Sequence, residues 1–177
     1  MIQNNMIYLD NSSTTKVFPE VIQEITLAYE TIIGNPSSTH MIGRYALERL
    51  ENYRSIIKQQ LGVNTGKLIF TSGATESNNL AILGVANANK NKKNQILFSP
   101  IEHPSVYNCE NVLTKMGYDV TYVSVDNEGF VDVQDLKKKL QKPTLLTSIQ
   151  GANHEIGTIQ HISDISKICK EEDSIFH

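Results

Sequence analysis

Apolar residues recur along this chain in two alternating patterns. In residues 17–33 and 39–61 they return every three or four positions, which predicts two long amphipathic helices. From residue 67 onwards, short apolar runs of strand length alternate with further helical stretches. The predicted strands are 7–9, 67–71, 95–99, 119–125, 144–150 and 174–177, and the predicted later helices are 75–88, 104–116, 131–140 and 162–170.

This alternation predicts an α/β fold with a mostly parallel, doubly wound sheet. We divide the chain into a helical segment, 1–65, and the first part of a larger α/β domain, 66–177. A sheet of this kind rarely stops at the first residues of a strand, because a parallel strand needs its full ladder and a covering helix. We therefore interpret the sequence as a piece of a longer protein.

Composition removes several classes of function. The chain has 177 residues and a formal charge of 16 − 19 = −3, which argues against nucleic acid as the main partner. No apolar run approaches the length of a membrane span, and the N-terminus lacks the pattern of a signal peptide. Two cysteines, Cys109 and Cys169, are too few for a disulfide framework. We expect a cytoplasmic protein in which both are buried and structural.

The strongest local motif runs from Ile69 to Asn79, where a predicted strand passes through a small-residue turn into a helix. Exposed amides at such a helix start, helped by the hydroxyls of Ser72 and Thr75, can bind a phosphate. The alternative is an ordinary capped helix in which Glu76 complements the helix dipole. The motif lacks the Gly-Lys-Ser or Gly-Lys-Thr of a Walker loop.

Two further motifs follow predicted strands, at the edge of an open α/β sheet where ligands bind. His103, before Pro104, could stack on a flat cofactor or move a proton, or it could simply begin a helix. Asn153 offers a donor and an acceptor to a ligand oxygen, or it could belong to a plain turn between Gly151 and Gly157. The five histidines are dispersed without metal-ligand spacing, so we predict no metal site.

Taken together, the motifs resemble those of cysteine desulfurases, which are class V pyridoxal-phosphate (PLP) enzymes with the fold of aspartate aminotransferase. The matching segments occur in the family's order and are 8–15, 34–40, 71–79, 102–104 and 153–158. The resemblance implies a homodimer that converts L-cysteine to L-alanine and passes the sulfur, as a persulfide, to an acceptor protein. The resemblance further implies that this sulfur serves iron-sulfur cluster or other sulfur-cofactor assembly.

The resemblance also implies roles for individual residues. Ala74 and Thr75 should bind the cofactor phosphate, His103 should stack on the pyridine ring as a catalytic residue, and Asn153 should hydrogen-bond the ring's phenolic oxygen. The segments 10–15 and 35–40 should border the substrate pocket.

The sequence departs from the family pattern in places. Ser12 and Ser13 replace paired alanines, Lys16 replaces a common proline, and His154 replaces the second asparagine of an Asn-Asn-Glu-Ile-Gly run. Family enzymes are about twice as long, and the cofactor-binding lysine, in a Ser-x-His-Lys motif, and the persulfide-forming cysteine fall after the residue that matches His177. We expect this chain alone to be inactive.

Two other functions stay open at this point. The chain could be a catalytically silent interaction module that binds a complementary C-terminal half or an intact relative. It could also belong to a selenocysteine lyase or another class V aminotransferase, because the motifs at the phosphate end are shared among them.

Overall fold

A computed structural model describes residues 7–89 and 93–177 of the chain. They form two compact units, the first ending at Phe70 and the second running from Thr71 to His177. Within the described residues, no helix combines the length and the apolar character that crossing a membrane requires.

The first unit contains two helices, α1 (Pro19–Thr31) and α2 (Met41–Gln60). Pro19 stands at the first turn of α1, where its missing N–H costs nothing. His40 caps α2, because its Nδ1 accepts a hydrogen bond from the Gly43 amide at 3.3 Å. A Cβ on Gly43 would collide with the Ser38 carbonyl, so glycine lets the preceding loop pack against the first turn of α2.

The second unit contains one sheet with helices on both faces. Its elements are α3 (Ala74–Ala88), β1 (Gln95–Phe98), α4 (Pro104–Tyr107), α5 (Glu110–Lys115), β2 (Asp119–Tyr122), α6 (Val133–Leu140), β3 (Thr144–Ser148), α7 (Ile162–Glu171) and β4 (Ile175–Phe176). The strands lie in the order β2-β1-β3-β4, and every pair is parallel. The predicted fold class, an α/β fold with a parallel doubly wound sheet, is confirmed.

The alternation of side chains along β1 divides the core of this unit between the two faces of the sheet. Ile96 and Phe98 pack with residues of α3, α4 and α5. Leu97, between them, packs with residues of α6 and α7. Cys109 lies in the first cluster and Cys169 in the second, and both are buried free thiols, as predicted.

Two predicted strands are wrong. Residues 7–9 and 67–71 have no strand structure, although both are apolar. A strand exists only where a neighbour satisfies its backbone N–H and C=O groups, and no described segment pairs with either.

Several other boundaries differ from the prediction by at most three residues, and one predicted helix is divided. The predicted helix 104–116 is divided into α4 and α5, because the Cys109 amide bonds to the Val106 carbonyl three residues back, in the tighter 3₁₀ manner. The strand predicted over 119–125 ends at Tyr122, and Val125 instead forms an isolated antiparallel bridge with Val131. The strand predicted over 144–150 ends at Ser148.

Candidate active site

The first turn of α3 presents unpaired backbone donors. Gly73 is the N-cap and Ala74 and Thr75 are the first two helical residues, all exposed. The amides of residues 73–76 donate no hydrogen bond to any described residue. Four free N–H groups and the positive end of the helix dipole therefore point at solvent, which is an arrangement suited to an anion.

Glu76 lies beside this turn without covering it. Its Oε2 accepts hydrogen bonds from the Ser72 amide at 2.7 Å and from the Ser72 hydroxyl at 2.6 Å. These two bonds hold the pKa of the Glu76 carboxyl below its usual value. The Ser72 hydroxyl, which the sequence offered to an anion, is thus already used, whereas no described residue hydrogen-bonds the Thr75 hydroxyl.

His103 lies just beyond the carboxyl end of β1, with an exposed ring. Its Nδ1 accepts a hydrogen bond from the Ser105 amide at 3.1 Å and lies 2.9 Å from the Ser105 hydroxyl. Asn78 of α3 donates to that same hydroxyl from Nδ2 at 2.8 Å. Hydrogen bonds between the side chains of Asn78, Ser105 and His103 therefore connect α3 to the loop after β1.

Asn153 lies in the loop that follows β3 and is only 7% exposed. Its Oδ1 accepts from the amides of Glu155, at 2.8 Å, and Ile156, at 3.0 Å. Its Nδ2 donates one hydrogen to the Ile101 carbonyl at 3.0 Å, and no described residue accepts the second hydrogen. The side chain consequently holds its own turn against the segment that carries His103.

The loops after β1 and β3 meet in a small cleft. The rings of His103 and His154 lie with their centroids 5.2 Å apart. The cleft is lined by residues 100–102, Pro104, Tyr107 and residues 153–156. Asn153 lines this cleft, and His103, which is not among the lining residues, lies beside it against His154. Both predicted ring-binding residues belong to the same unit as Ala74 and Thr75.

Glu102 is a residue of this cleft to which the sequence assigned no role. It is 6% exposed, and its Oε1 accepts a hydrogen bond from the Gln150 amide at 2.8 Å, which connects the ends of β1 and β3. Burial raises the pKa of Glu102 to about 7, against the smaller opposing effect of that hydrogen bond. The sequence offered two signals for it: its position after a buried strand and its place in the segment 102–104 that matches the family.

Neither an activated thiol nor a metal-ligand cluster is found among the described residues. Burial raises the pKa of both Cys109 and Cys169, so neither is an activated thiol. Across residues 7–89 and 93–177, no three metal-ligating side chains cluster together.

The segments 10–15 and 35–40 belong to the first unit. Each forms a local turn: the Ser13 hydroxyl donates to the Asp10 carboxylate at 2.7 Å, and the Asn35 side chain accepts from the Ser37 amide at 2.8 Å. Their position at a substrate pocket stays a prediction.

Comparison with known proteins identifies relatives over nearly the whole chain. A cysteine desulfurase IscS of Dictyoglomus turgidum is 46% identical over 171 residues, which are 97% of this chain and 43% of the relative. A NifS/IcsS protein homolog of Lactobacillus delbrueckii is 47% identical over 173 residues, 97% of this chain and 45% of that protein. The chain thus spans a little under half the length of these relatives.

Solved structures agree with these sequence matches. A structure described as a NifS-like protein superposes with a TM-score of 0.91 at 37% identity, covering 97% of this chain and 48% of the other. A structure of SspA in complex with cysteine gives a TM-score of 0.89 at 34% identity, covering 97% and 50%. The predicted resemblance to the N-terminal portion of cysteine desulfurases is confirmed. Because the aminotransferase class-V model also matches residues 7–177, the chain belongs to the class-V aminotransferase family.

Proposed function

We propose that this chain forms the phosphate-binding and ring-binding part of a PLP-dependent cysteine desulfurase. The whole protein would convert L-cysteine to L-alanine and transfer the sulfur as a persulfide. The observation that supports this most is the first turn of α3, whose free amides lie in one compact unit with His103 and Asn153.

The first turn of α3 fits the phosphate of PLP. A phosphate dianion needs several donors and gains from the positive end of a helix. The amides of Ala74 and Thr75 meet that need, and the Thr75 hydroxyl adds one more donor. Glu76 does not compete for these amides, because its carboxylate is held by Ser72.

The loops after β1 and β3 fit the ring of PLP. The exposed His103 imidazole is a flat surface for a flat ring, and the spare Nδ2 hydrogen of Asn153 suits a phenolic oxygen. PLP, when bound, supplies an electron sink for the substrate's bonds. The residues of this chain would orient the ring and exclude water from one of its faces.

The substrate and partners are inferred from the relatives. One solved neighbour is described as a complex with cysteine, which supports cysteine as the substrate. We propose a sulfur-acceptor protein as the second partner and iron-sulfur cluster assembly as the use of the sulfur, because similar proteins carry the name cysteine desulfurase IscS. We also propose a reducing, cytoplasmic location, because both cysteines are free thiols.

One observation supports the alternative that the chain is an interaction module. None of the residues of α1 is buried, and apolar side chains such as Ile22, Ile25 and Tyr29 are at least half exposed. An exposed apolar face of this kind favours association with a second polypeptide, either a homodimer partner or a complementary C-terminal half.

The test is a chimera in which residues 1–177 are fused to the remaining C-terminal part of the Dictyoglomus turgidum relative. We expect the chimera to form alanine from cysteine in the presence of PLP. The 177-residue chain alone should form none, because it contains no Ser-x-His-Lys motif.

The relative's own full-length protein serves as the positive control. A folded chimera that retains PLP and forms no alanine would contradict the proposed activity and favour a silent module. Preference for selenocysteine over cysteine in the same assay would favour a selenocysteine lyase.

A further inference from the structure

We infer that Asn78 and Ser105 act as positioning residues that fix His103 as the tautomer with its proton on Nε2, so that His103 meets its ligand as a hydrogen-bond donor. This inference deepens the proposed function, because it states what the ring-binding histidine offers to the cofactor site. It stands on three hydrogen bonds within one compact unit.

The backbone amide of Ser105 determines which nitrogen of His103 is unprotonated. A backbone N–H can only donate, and the Ser105 amide points at Nδ1 of His103 from 3.1 Å. Nδ1 must therefore present its lone pair. In a neutral imidazole the proton then resides on the other nitrogen, Nε2.

The side chains of Asn78 and Ser105 favour the same protonation of His103. The Asn78 amide nitrogen, also a pure donor, lies 2.8 Å from the Ser105 hydroxyl oxygen. A hydroxyl that accepts from Asn78 keeps its own hydrogen free, and the acceptor 2.9 Å away is again Nδ1 of His103. Two donors thus converge on Nδ1. A proton placed there would break the hydrogen bond from the Ser105 amide and would require the Ser105 hydroxyl to turn its hydrogen away.

The surroundings hold these groups in place. Ser105 is 6% exposed, and its carbonyl accepts from Asn79 at 3.3 Å. The ring of His103 is exposed, and no described residue forms a hydrogen bond with its Nε2. Nε2–H is therefore the only polar group that the ring presents outwards, and it is a donor.

The consequence concerns the direction in which a proton can move. At Nε2, the neutral His103 ring can donate a hydrogen bond, but it cannot accept one in this tautomer. Release of the Nε2 proton would leave an imidazolate unless Nδ1 first took up a proton, against the donors of Ser105. To accept a proton at Nε2 it would first have to move its own proton to Nδ1, against Ser105.

The test is nuclear magnetic resonance of the 177-residue chain labelled with ¹⁵N-histidine, without cofactor, at a pH where the imidazoles are neutral. We expect Nδ1 of His103 to resonate as an unprotonated nitrogen and Nε2 as a protonated one. His161, whose side chain makes no hydrogen bond with any described residue, is the internal reference for an unbiased ring.

Two variants separate tautomer control from a structural role. Asn78→Asp turns the donor into an acceptor of nearly the same shape, so the Ser105 hydroxyl should rotate away from His103. Ser105→Ala removes the hydroxyl, and Ser105→Thr restores it. We expect the ratio of the Nε2–H to the Nδ1–H form to fall about tenfold in the first two variants and to recover in the third.

The inference is overturned if wild-type His103 shows the mixed signals of His161, or if both Asn78→Asp and Ser105→Ala fold and leave its signals unchanged. If one variant fails to fold, the wild-type signals and the other variant still decide. Because no PLP is present, failure here is separate from failure of the proposed activity.

Discussion

Thr75 is the residue whose side chain we propose to contact the phosphate of PLP directly. It lies at the second position of α3, it is exposed, and no described residue hydrogen-bonds its hydroxyl. The neighbouring amides would bind a phosphate through the backbone, so substitution leaves them in place. A substitution of Thr75 therefore removes only one donor, the side-chain hydroxyl.

We expect Thr75→Val in the chimera to weaken PLP binding by about 1.5–3 kcal/mol, the contribution of one hydrogen bond to a charged group. Equilibrium dialysis after removal of the cofactor measures this directly. Thr114→Val, an exposed threonine in α5, is the matched control and should leave binding unchanged. Equal binding by the Thr75 variant and wild type would remove the hydroxyl from the site.

Glu102 is the residue whose environment the sequence could not reveal. Its raised pKa, about 7, means that the folded chain holds this proton more tightly than the unfolded chain does. The stability contributed by this group is fully present below pH 4.5, its ordinary value, and is lost as the pH rises through about 7.

We therefore expect the wild-type free energy of unfolding to fall relative to that of Glu102→Gln as the pH rises from 4.5 to 7. The loss of unfolding free energy in wild type, relative to the variant, is at most about 3 kcal/mol over this pH range. Urea unfolding at pH 4.5 and pH 8 measures it. Glu155→Gln, whose side chain is 79% exposed in the same cleft, is the control and should follow wild type. A Glu102 variant that also follows wild type would show that the carboxyl is not held protonated.

At the scale of elements, sequence periodicity correctly predicted the buried helices and strands of the second unit. It failed for segments that become strands only if a neighbouring strand pairs with them. Ile96 to Phe98 is a strand because β2 and β3 lie on either side of it. Residues 67–71 are equally apolar, but no described strand pairs with them, and pairing is not visible in a local pattern.

The same distinction applies to the candidate site. The strand–turn–helix motif placed Ala74 and Thr75 at a helix start from sequence alone, and α3 begins there. The hydrogen bonds of Asn153 to Ile101, and of Asn78 to Ser105, join residues 52 and 27 positions apart. Contacts over such separations depend on the tertiary fold, which periodicity does not encode.

The packing of α3 against the sheet gives a prediction for this element. Ile82 is fully buried in the cluster with Ile96 and Phe98, and Leu80 on the same helix is 49% exposed. Ile82→Ala should destabilise the chain by about 2–5 kcal/mol, through lost burial and the cavity left behind. Leu80→Ala should cost much less, and chemical unfolding of both variants measures the contrast. Equal losses would mean that α3 does not pack as described.

At the scale of the whole molecule, the chain divides into a unit with an extensive apolar surface and a unit with a core on both faces of a sheet. The second unit holds every residue to which we assign contact with the cofactor: Ala74, Thr75, His103 and Asn153. If the proposed assignment is correct, we expect the second unit to recognise PLP without residues of the first.

The most direct test of this account is a titration of the ¹⁵N-labelled 177-residue chain with PLP, followed through its backbone amide resonances. We predict saturable shifts for residues 73–76 and for the loops around His103 and Asn153, and much smaller shifts for residues of α1 and α2. Shifts confined to surface lysines such as Lys137 and Lys138, with the amides of residues 73–76 unmoved, would contradict it.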